Sequence, residues 1–259
     1  MIFRTNNPID AARELHAFLG WTQPSDFTLD EIASVLGILV KDVPIEGSDG
    51  RIMIKGDTAI ISIKDTITHH GRRNFILGHE IGHFILHKNV SSLFSDTDLT
   101  LSEWFKKGLQ EQQANTFAVE ILMPESLYRA KVTNKKLSIG LIEDVSAYFQ
   151  TSRLAAFLRY VSLGSYPIMI IFMEDGVIKW KMNSSDFPFT YLQIGSKVPA
   201  WTVAGDYFNK GTQEASPEKV DAIEWFPEDY RIKHDAERKL WEQCYPVGVN
   251  SLVSCIWTD

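Results

Sequence analysis

The segment GHEIGHFILH, residues 78–87, contains side chains that together could bind and use a metal ion. His79, Glu80 and His83 form the pattern H-E-x-x-H, and on a helix its two histidines lie one turn apart on the same face. Two imidazoles at this spacing can bind one zinc ion through Zn–N bonds of about 2.0–2.1 Å. Glu80 would lie beside the ion, placed to take a proton from a water molecule as a general base. The spacing therefore indicates a zinc site that hydrolyses peptide bonds.

The alternative is a helix that carries two histidines and no metal. Glu80 argues against this alternative, because its neighbours on the helix are the apolar residues Leu77, Ile81, Phe84 and Ile85. A carboxylate in such surroundings is costly to bury unless a nearby group binds or uses it. We therefore favour the metal site.

Three further histidines lie near the motif. His87 follows His79 by eight residues, which is about 12 Å along a helix, whereas ligand atoms around one zinc ion lie within about 4 Å of one another. His87 is therefore excluded from a shared ion with His79, and we expect it to interact with the last carbonyls of the helix. His69 and His70 precede the helix in a polar stretch. They could line a cleft, but exposed loop histidines are the favoured interpretation.

A catalytic zinc site needs three protein ligands and one open position, so a third ligand must come from another part of the chain. The helical segment 109–124 offers Glu111 and Glu120, which are nine positions apart and so lie on opposite faces. The apolar arc of this helix is formed by Ala114, Phe117, Ala118 and Ile121. Glu111 lies at the edge of that arc, and we expect Glu120 to face solvent with Gln113 and Thr116. Glu111 is therefore the expected third ligand, with Glu120 as the alternative.

Asn115 lies one helical turn after Glu111. Its side chain could hydrogen-bond the outer ring nitrogen of a ligating histidine and so fix the orientation of the imidazole.

The pattern of the remaining chain predicts an α+β fold. Helical spacing and capping residues predict helices over residues 8–19, from a cap at Asp26 or Thr28 to Gly37, and over 75–88, 109–123 and two stretches within 138–163. Strands are predicted in ILVKDVPI, in the hairpins RIMIKGDTAIISIK and YPIMIIFMEDGVIKWKM, and in FTYLQI and SLVSCIW. The stretch SSLFSDTDLTLSEWFKKG predicts a polar connection with some helical character.

The two candidate helices together resemble the ImmA/IrrE family of metallopeptidases. That family carries H-E-x-x-H followed by an E-x-x-A-N-x-F-A stretch that leads into L-M-P. The matching residues of the second stretch are Glu111, Ala114, Asn115, Phe117, Ala118, Leu122, Met123 and Pro124. The resemblance covers roughly residues 8–163. It includes the segment RRNFILGHE, which leads into the H-E-x-x-H motif. One departure is Gln113, where members often carry glutamate; we expect position 113 to face away from the metal.

The resemblance implies zinc as cofactor, with His79, His83 and Glu111 as ligands and Glu80 as the general base. It also implies a compact α+β peptidase domain of the gluzincin kind, with a small sheet beside the H-E-x-x-H helix. The known substrates of the family are repressor-type regulators, which are cleaved in phage induction, mobile-element transfer, DNA-damage response and anti-phage defence.

Residues 138–164 have the pattern of a helix-turn-helix, similar to a segment that follows the catalytic helices in the same family. In a DNA-binding role, Arg153 and Arg159 would contact phosphates or base edges. The second helix is rich in apolar residues, however, and the whole chain has a net charge of −7. A packed structural segment is therefore favoured over DNA binding.

The predicted division of the chain is a zinc peptidase domain over residues 1–137, the helix-turn-helix-like segment over 138–164, and a third part over 165–259. The third part is predicted to be a sheet-rich α+β domain. Because it adds almost one hundred residues without a catalytic motif, we expect it to sense a signal or to dock the substrate.

Bulk composition restricts the compartment and the partners. No run of 18 apolar residues is present, and the N-terminus lacks the features of a signal peptide. Cys244 and Cys255 are too few for a disulfide scaffold, so we expect buried free thiols and a cytoplasmic protein. The expected partner is a protein substrate rather than nucleic acid or a membrane.

The sequence therefore predicts a zinc-dependent endopeptidase that cleaves a regulatory protein, with a repressor-type transcription factor as the expected substrate. The alternative is a DNA-binding or protein-binding regulator in which zinc is structural or vestigial.

Overall fold

The computed structural model describes residues 5–88, the backbone of residues 93–96, and residues 108–212 and 216–258. Most of the predicted polar connection SSLFSDTDLTLSEWFKKG lies outside the described residues. The fold is mixed α+β, as predicted. Two compact units interleave along the chain: Met1–Lys131 with Asp144–Arg153 in the first, and Val132–Glu143 with Leu154–Asp259 in the second. The functional division at residues 137 and 164 stays a prediction.

The first unit begins with two capped helices. Helix α1 spans Pro8–Leu19, is capped by the Asn7 side chain, and ends at Gly20, whose φ of 65° is left-handed. Helix α2 spans Leu29–Val35 and starts at a capping box, in which Thr28 and Glu31 each accept from the other's backbone N–H. Of the two predicted caps, the structure uses Thr28.

A four-stranded sheet follows α2 and lies beneath the candidate site. Its strands are β1 Ile38–Val43, β2 Gly50–Lys55, β3 Thr58–Lys64 and β4 Leu93–Asp96, in the order β1-β3-β2-β4. Strand β1 is parallel to β3, and the other pairs are antiparallel. The predicted β2–β3 hairpin is confirmed, with Gly56 at a φ of 61° in the turn. The buried face of the sheet contains Ile38, Ile52, Ile54, Ala59, Ile61 and Ile63.

Helix α3 spans His70–His87 and packs closely against helix α4, which spans Leu109–Leu122. Glycines on α3 allow this close approach. A Cβ at Gly82 would lie 3.1 Å from the Phe117 ring and 3.2 Å from Ala114 Cα, and one at Gly78 would lie 3.5 Å from Ala118. The two helices carry every candidate metal ligand, so their packing sets the geometry of the site.

Helix α4 also packs against α1, where His16 is buried. His16 Nε2 donates to the Ile121 carbonyl oxygen at 3.1 Å, and the ring stacks on Trp21. Burial lowers the pKa of His16 to about 4, although the Ile121 hydrogen bond opposes this shift.

We expect His16 to make the stability of the protein pH-dependent. The unfolded chain binds a proton at His16 near its ordinary pKa of about 6.5, whereas the folded protein resists this proton down to about pH 4. The stability that neutral His16 contributes to the folded state is fully present above the unfolded pKa. At most about 3 kcal/mol of the free energy of unfolding is lost as the pH falls to the folded pKa. Urea unfolding with a chelator present should therefore show a steeper acid loss for wild type than for His16→Leu. Parallel pH profiles would contradict this expectation.

Three more helices follow α4: α5 Glu125–Val132, α6 Ile139–Tyr148 and α7 Arg153–Leu163. The predicted helix-turn-helix-like pattern corresponds to α6 and α7, with Gln150 at a φ of 53° in the turn. The apolar face of α7 is buried, and Phe157 stacks on Tyr245 with ring centroids 5.2 Å apart. This packing agrees with a structural role for α7.

The second unit contains a five-stranded antiparallel sheet with the order β6-β5-β9-β8-β7. Its strands are β5 Ile168–Glu174, β6 Val177–Asn183, β7 Glu218–Asp221, β8 Lys239–Gly248 and β9 Ser251–Trp257. Its helices are α8 Val203–Lys210, α9 Ala222–Trp225 and a 3-10 helix over Tyr230–His234. The predicted β5–β6 hairpin turns at Asp175 and Gly176, both at positive φ. The β9 strand predicted from SLVSCIW is also confirmed.

The strand predicted in FTYLQI is wrong. The backbone N–H groups of Thr190 and Tyr191 both donate to the Asp229 carboxylate, each at 2.8 Å. Phe189 and Leu192 remain buried in the core of the unit. An acidic side chain distant in sequence therefore satisfies the amides that a strand would have paired.

Cys244 and Cys255 are buried free thiols, as predicted. Burial raises the pKa of both thiols well above the ordinary value. Among the described residues, no helix is both long and apolar enough to cross a membrane.

Candidate metal centre

Helix α3 buries the whole H-E-x-x-H motif. His79, Glu80 and His83 are each at most 1% exposed. The two histidines face the same side of the helix, with ring centroids 4.7 Å apart. The helical placement predicted from the i, i+4 spacing is therefore what the structure shows.

Glu111 completes a group of three possible metal ligands. His79 Nε2 and His83 Nε2 lie 3.0 Å apart, and the Glu111 oxygens lie 3.4 Å and 3.3 Å from them, respectively. All three ligand atoms lie within 4.8 Å of one another. Tetrahedral zinc with bonds of about 2.0–2.1 Å places neighbouring ligand atoms about 3.3 Å apart. The residues present therefore fit a zinc ion.

The protonation states of the group also suit a cation. Burial lowers the pKa of His83 to about 4, so its imidazole is neutral at neutral pH. Burial raises the pKa of Glu111, but hydrogen bonds and charge interactions with His79 and His83 outweigh this effect and hold the pKa well below its usual range. Neutral imidazole and ionised carboxylate are the forms that bind zinc. The Glu111 side chain is 24% exposed, so the group is not closed off from solvent.

Asn115 lies behind His79. Its Oδ1 atom lies 2.8 Å from His79 Nδ1, and the side chain is fully buried. If Nε2 of His79 binds a metal, Nδ1 carries the proton and donates to Asn115, which fixes the ring orientation.

Glu120 does not lie where the sequence predicted. The side chain is buried rather than facing solvent, with a residue exposure of 2%. Its Oε1 atom lies 3.5 Å from Arg13 Nε on α1 and accepts from the backbone N–H of Glu125 at 3.3 Å. The prediction was wrong because α1 covers this side of α4, which the apolar arc of α4 alone did not indicate. Glu120 is absent from the ligand group.

The predictions for His87 and Gln113 also need correction. His87 is buried, and its ring nitrogens face side chains rather than the last carbonyls of α3: Nδ1 lies 3.0 Å from His83 Nδ1, and Nε2 lies 3.0 Å from Gln113 Oε1. Gln113 therefore does not face away from the site. The i, i+4 spacing of His83 and His87 was the sequence signal for this contact.

Gly50, at the start of β2, was not identified from the sequence. A Cβ atom at this position would lie 2.5 Å from Ile76 Cγ2 and 2.9 Å from Glu80 Oε1. The absence of a side chain at Gly50 thus lets the Glu80 carboxylate lie directly against the strand. No property of the local sequence distinguishes this glycine from those that serve turns.

His69 and His70 lie at the N-terminus of α3. His69 is the N-cap, and its Nδ1 accepts from the Arg72 backbone N–H at 3.3 Å. His70 Nε2 lies 3.2 Å from Gln150 Oε1. A cavity of about 280 Å³ adjoins this end of the helix, and Asp49, Lys64, Thr66, Ile67, Thr68, His69 and Arg72 line it. Both histidines are exposed, as favoured from the sequence; His69 also lines a cavity, and His70 contacts Gln150 in the turn after α6.

Comparisons with known proteins give a matching family and a similar fold. Residues 33–159 match the model of the family Peptidase M78, described as the IrrE N-terminal-like domain. No curated protein matches the sequence significantly. Among solved structures, a Mycobacterium tuberculosis transcriptional regulator is similar, with a TM-score of 0.60 at 12% identity. The similarity covers 98% of this chain and 76% of that chain, and at this identity it shows a shared fold.

Proposed function

Since its IrrE N-terminal-like domain places this chain in the ImmA/IrrE family, we propose that the protein is a zinc-dependent endopeptidase that cleaves a regulatory protein. One observation carries the proposal: His79, His83 and Glu111 converge within 4.8 Å, on the helix that also buries Glu80. A group that served only packing would not need three ligand atoms at zinc spacing beside an acidic residue.

In the proposed mechanism, His79 and His83 would hold zinc through Nε2, and Glu111 would hold it through its carboxylate. Zinc, when bound, polarises the scissile carbonyl and lowers the pKa of water. Glu80 acts as general base: its carboxylate accepts a proton from the attacking water and then delivers it to the nitrogen of the leaving amine. Asn115 keeps the His79 ring in the orientation that presents Nε2. The buried position of Glu80 excludes bulk water from the carboxylate.

The proposed substrate is a repressor-type transcriptional regulator, acting in a prokaryotic or phage stress, mobile-element or defence response. Membership of the family supports this choice. A second candidate is a regulator that binds DNA or protein with a structural zinc site. It is motivated by the paired helices α6 and α7, which carry Arg153 and Arg159 on the second helix.

One experiment separates the two candidates. New protein N-termini are compared in host cells that express wild type or Glu80→Gln, with and without DNA damage. We expect a cut in a regulator with wild type only, which would also identify the substrate and show whether a signal is needed. Equal biological effect of both proteins, together with salt-dependent DNA binding that is lost on substitution of Arg153 and Arg159, would favour the second candidate.

The sensing or docking role of residues 165–259 and the cytoplasmic location are also proposals. A protein truncated near residue 164 that kept its activity and selectivity would contradict the sensing role. Loss of activity is informative only if the remaining residues stay folded, because this truncation also removes Tyr245, on which Phe157 of α7 stacks.

A further inference from the structure

A buried chain of three side chains lies behind one ligand of the proposed zinc site. It runs from His83 through His87 on α3 to Gln113 on α4. The His83 and His87 Nδ1 atoms lie 3.0 Å apart, and His87 Nε2 lies 3.0 Å from Gln113 Oε1. His87 is only 3% exposed, so bulk water does not replace these contacts. The inference below rests on the proposed function.

A metal ion bound at His83 would fix the direction of both hydrogen bonds in this chain. His83 Nε2 lies on the ligand side, 3.3 Å from Glu111 Oε1, so a ligating His83 carries its proton on Nδ1. Across the 3.0 Å contact, that proton is donated to His87 Nδ1 when this nitrogen carries no proton of its own. A neutral His87 then carries its proton on Nε2 and donates it to the Gln113 carbonyl oxygen. The reverse tautomer of His87 would place two N–H groups against each other across 3.0 Å.

We propose that His87 and Gln113 are positioning residues for the zinc site. His87 Nδ1 accepts the proton of His83 and holds its ring with Nε2 toward the metal, and Gln113 keeps His87 in the tautomer that can accept. Neither residue belongs to the group of possible metal ligands.

The other proposed histidine ligand, His79, is oriented by a similar hydrogen bond. His79 donates directly to Asn115 Oδ1, whereas His83 reaches Gln113 Oε1 through His87. Both supports therefore end at a side-chain amide of α4, two residues apart. The helix that supplies Glu111 thus also orients both histidines, and the glycine contacts between α3 and α4 fix the register of all three.

The proposal is tested with a nearly isosteric pair of substitutions in the full-length protein. His87→Asn places an acceptor oxygen at the position of Nδ1, whereas His87→Leu places a methyl group there. Zinc dissociation constants are measured by competition with a chromophoric chelator. We expect His87→Leu to weaken zinc binding about 10- to 100-fold, as for loss of a partner that orients a ligand. His87→Asn should bind clearly more tightly than His87→Leu, because it keeps the acceptor.

Gln113→Met tests the outer end of the chain. It keeps the length of the side chain but removes the acceptor that selects the His87 tautomer, so we expect a loss smaller than that of His87→Leu. His16→Leu is the matched control, because His16 is also a buried histidine hydrogen-bonded to α4, yet it lies outside the chain. It should leave the zinc dissociation constant unchanged. Thermal unfolding of the metal-free proteins shows whether each variant folds, and Gln113→Met carries the test if both His87 variants unfold.

The outcomes separate this inference from the proposed function. If wild type binds no zinc, or binds it equally after Glu111 is removed, the proposed site itself is wrong. If wild type binds zinc and His87→Leu binds it as tightly as His87→Asn, the site stands and the positioning role is overturned. A role in packing alone would give that second result, because leucine fills the position as well as asparagine does.

Discussion

Glu80→Gln should reduce the rate of peptide-bond cleavage by about 10²- to 10⁴-fold while zinc remains bound. The substitution keeps the size and shape of the side chain but removes the base that accepts the proton of the attacking water. General base catalysis typically contributes about 10²- to 10⁴-fold to the rate, so we expect a loss in kcat of this size. Zinc binding should persist, because Glu80 is not among the three grouped ligands. The measurements are cleavage of the substrate identified in cells and zinc content after gel filtration.

The position of Glu80 makes glutamine the informative replacement. A Cβ atom at Gly50 would lie only 2.9 Å from Glu80 Oε1, so the space around the Glu80 carboxylate is tight. A larger residue would disturb β2, and a smaller one would leave a cavity, whereas glutamine does neither. Glu120→Gln is the matched control, because Glu120 is equally buried but lies against Arg13, outside the ligand group. Full activity of Glu80→Gln would remove Glu80 from the mechanism.

The features predicted correctly from the sequence are those set by local spacing. Each of these features depends on residues only a few positions apart in sequence. They are the i, i+4 histidines, the Thr28 cap and the two hairpin turns. Convergence of Glu111 on the histidines depends on packing of α3 against α4. The sequence indicated it in two ways: the apolar arc of α4 places Glu111 at the edge of the buried side, and the family resemblance implies Glu111 as a ligand.

The errors arise where a neighbouring helix covers polar residues of α4. The pattern of α4 predicts a solvent-facing Glu120 because it shows only which face is apolar. It cannot show that α1 supplies Arg13 on the other side. The same pattern predicts that Gln113 faces away from the metal, although His87 from α3 reaches it. When residues far away in sequence cover a polar side chain, the apolar pattern of its own helix does not predict that it is covered.

Glu111→Ala should remove most of the zinc affinity, whereas Glu120→Ala should not change it. Structural zinc sites bind with about 10–16 kcal/mol, so one of four ligands accounts for several kcal/mol, or about 100- to 1,000-fold in the dissociation constant. Since bound metal stabilises the folded state, a chelator should lower the melting temperature of wild type and of Glu120→Ala. The same chelator should barely affect Glu111→Ala. Both glutamates lie on α4, nine residues apart, so the comparison controls for general damage to that helix.

If Glu120→Ala lost the chelator response and Glu111→Ala kept it, the third ligand would have to be reassigned to Glu120. Such a result would require α4 to rotate by half a turn against α3, which the close contacts of Gly82 with Ala114 and Phe117 oppose.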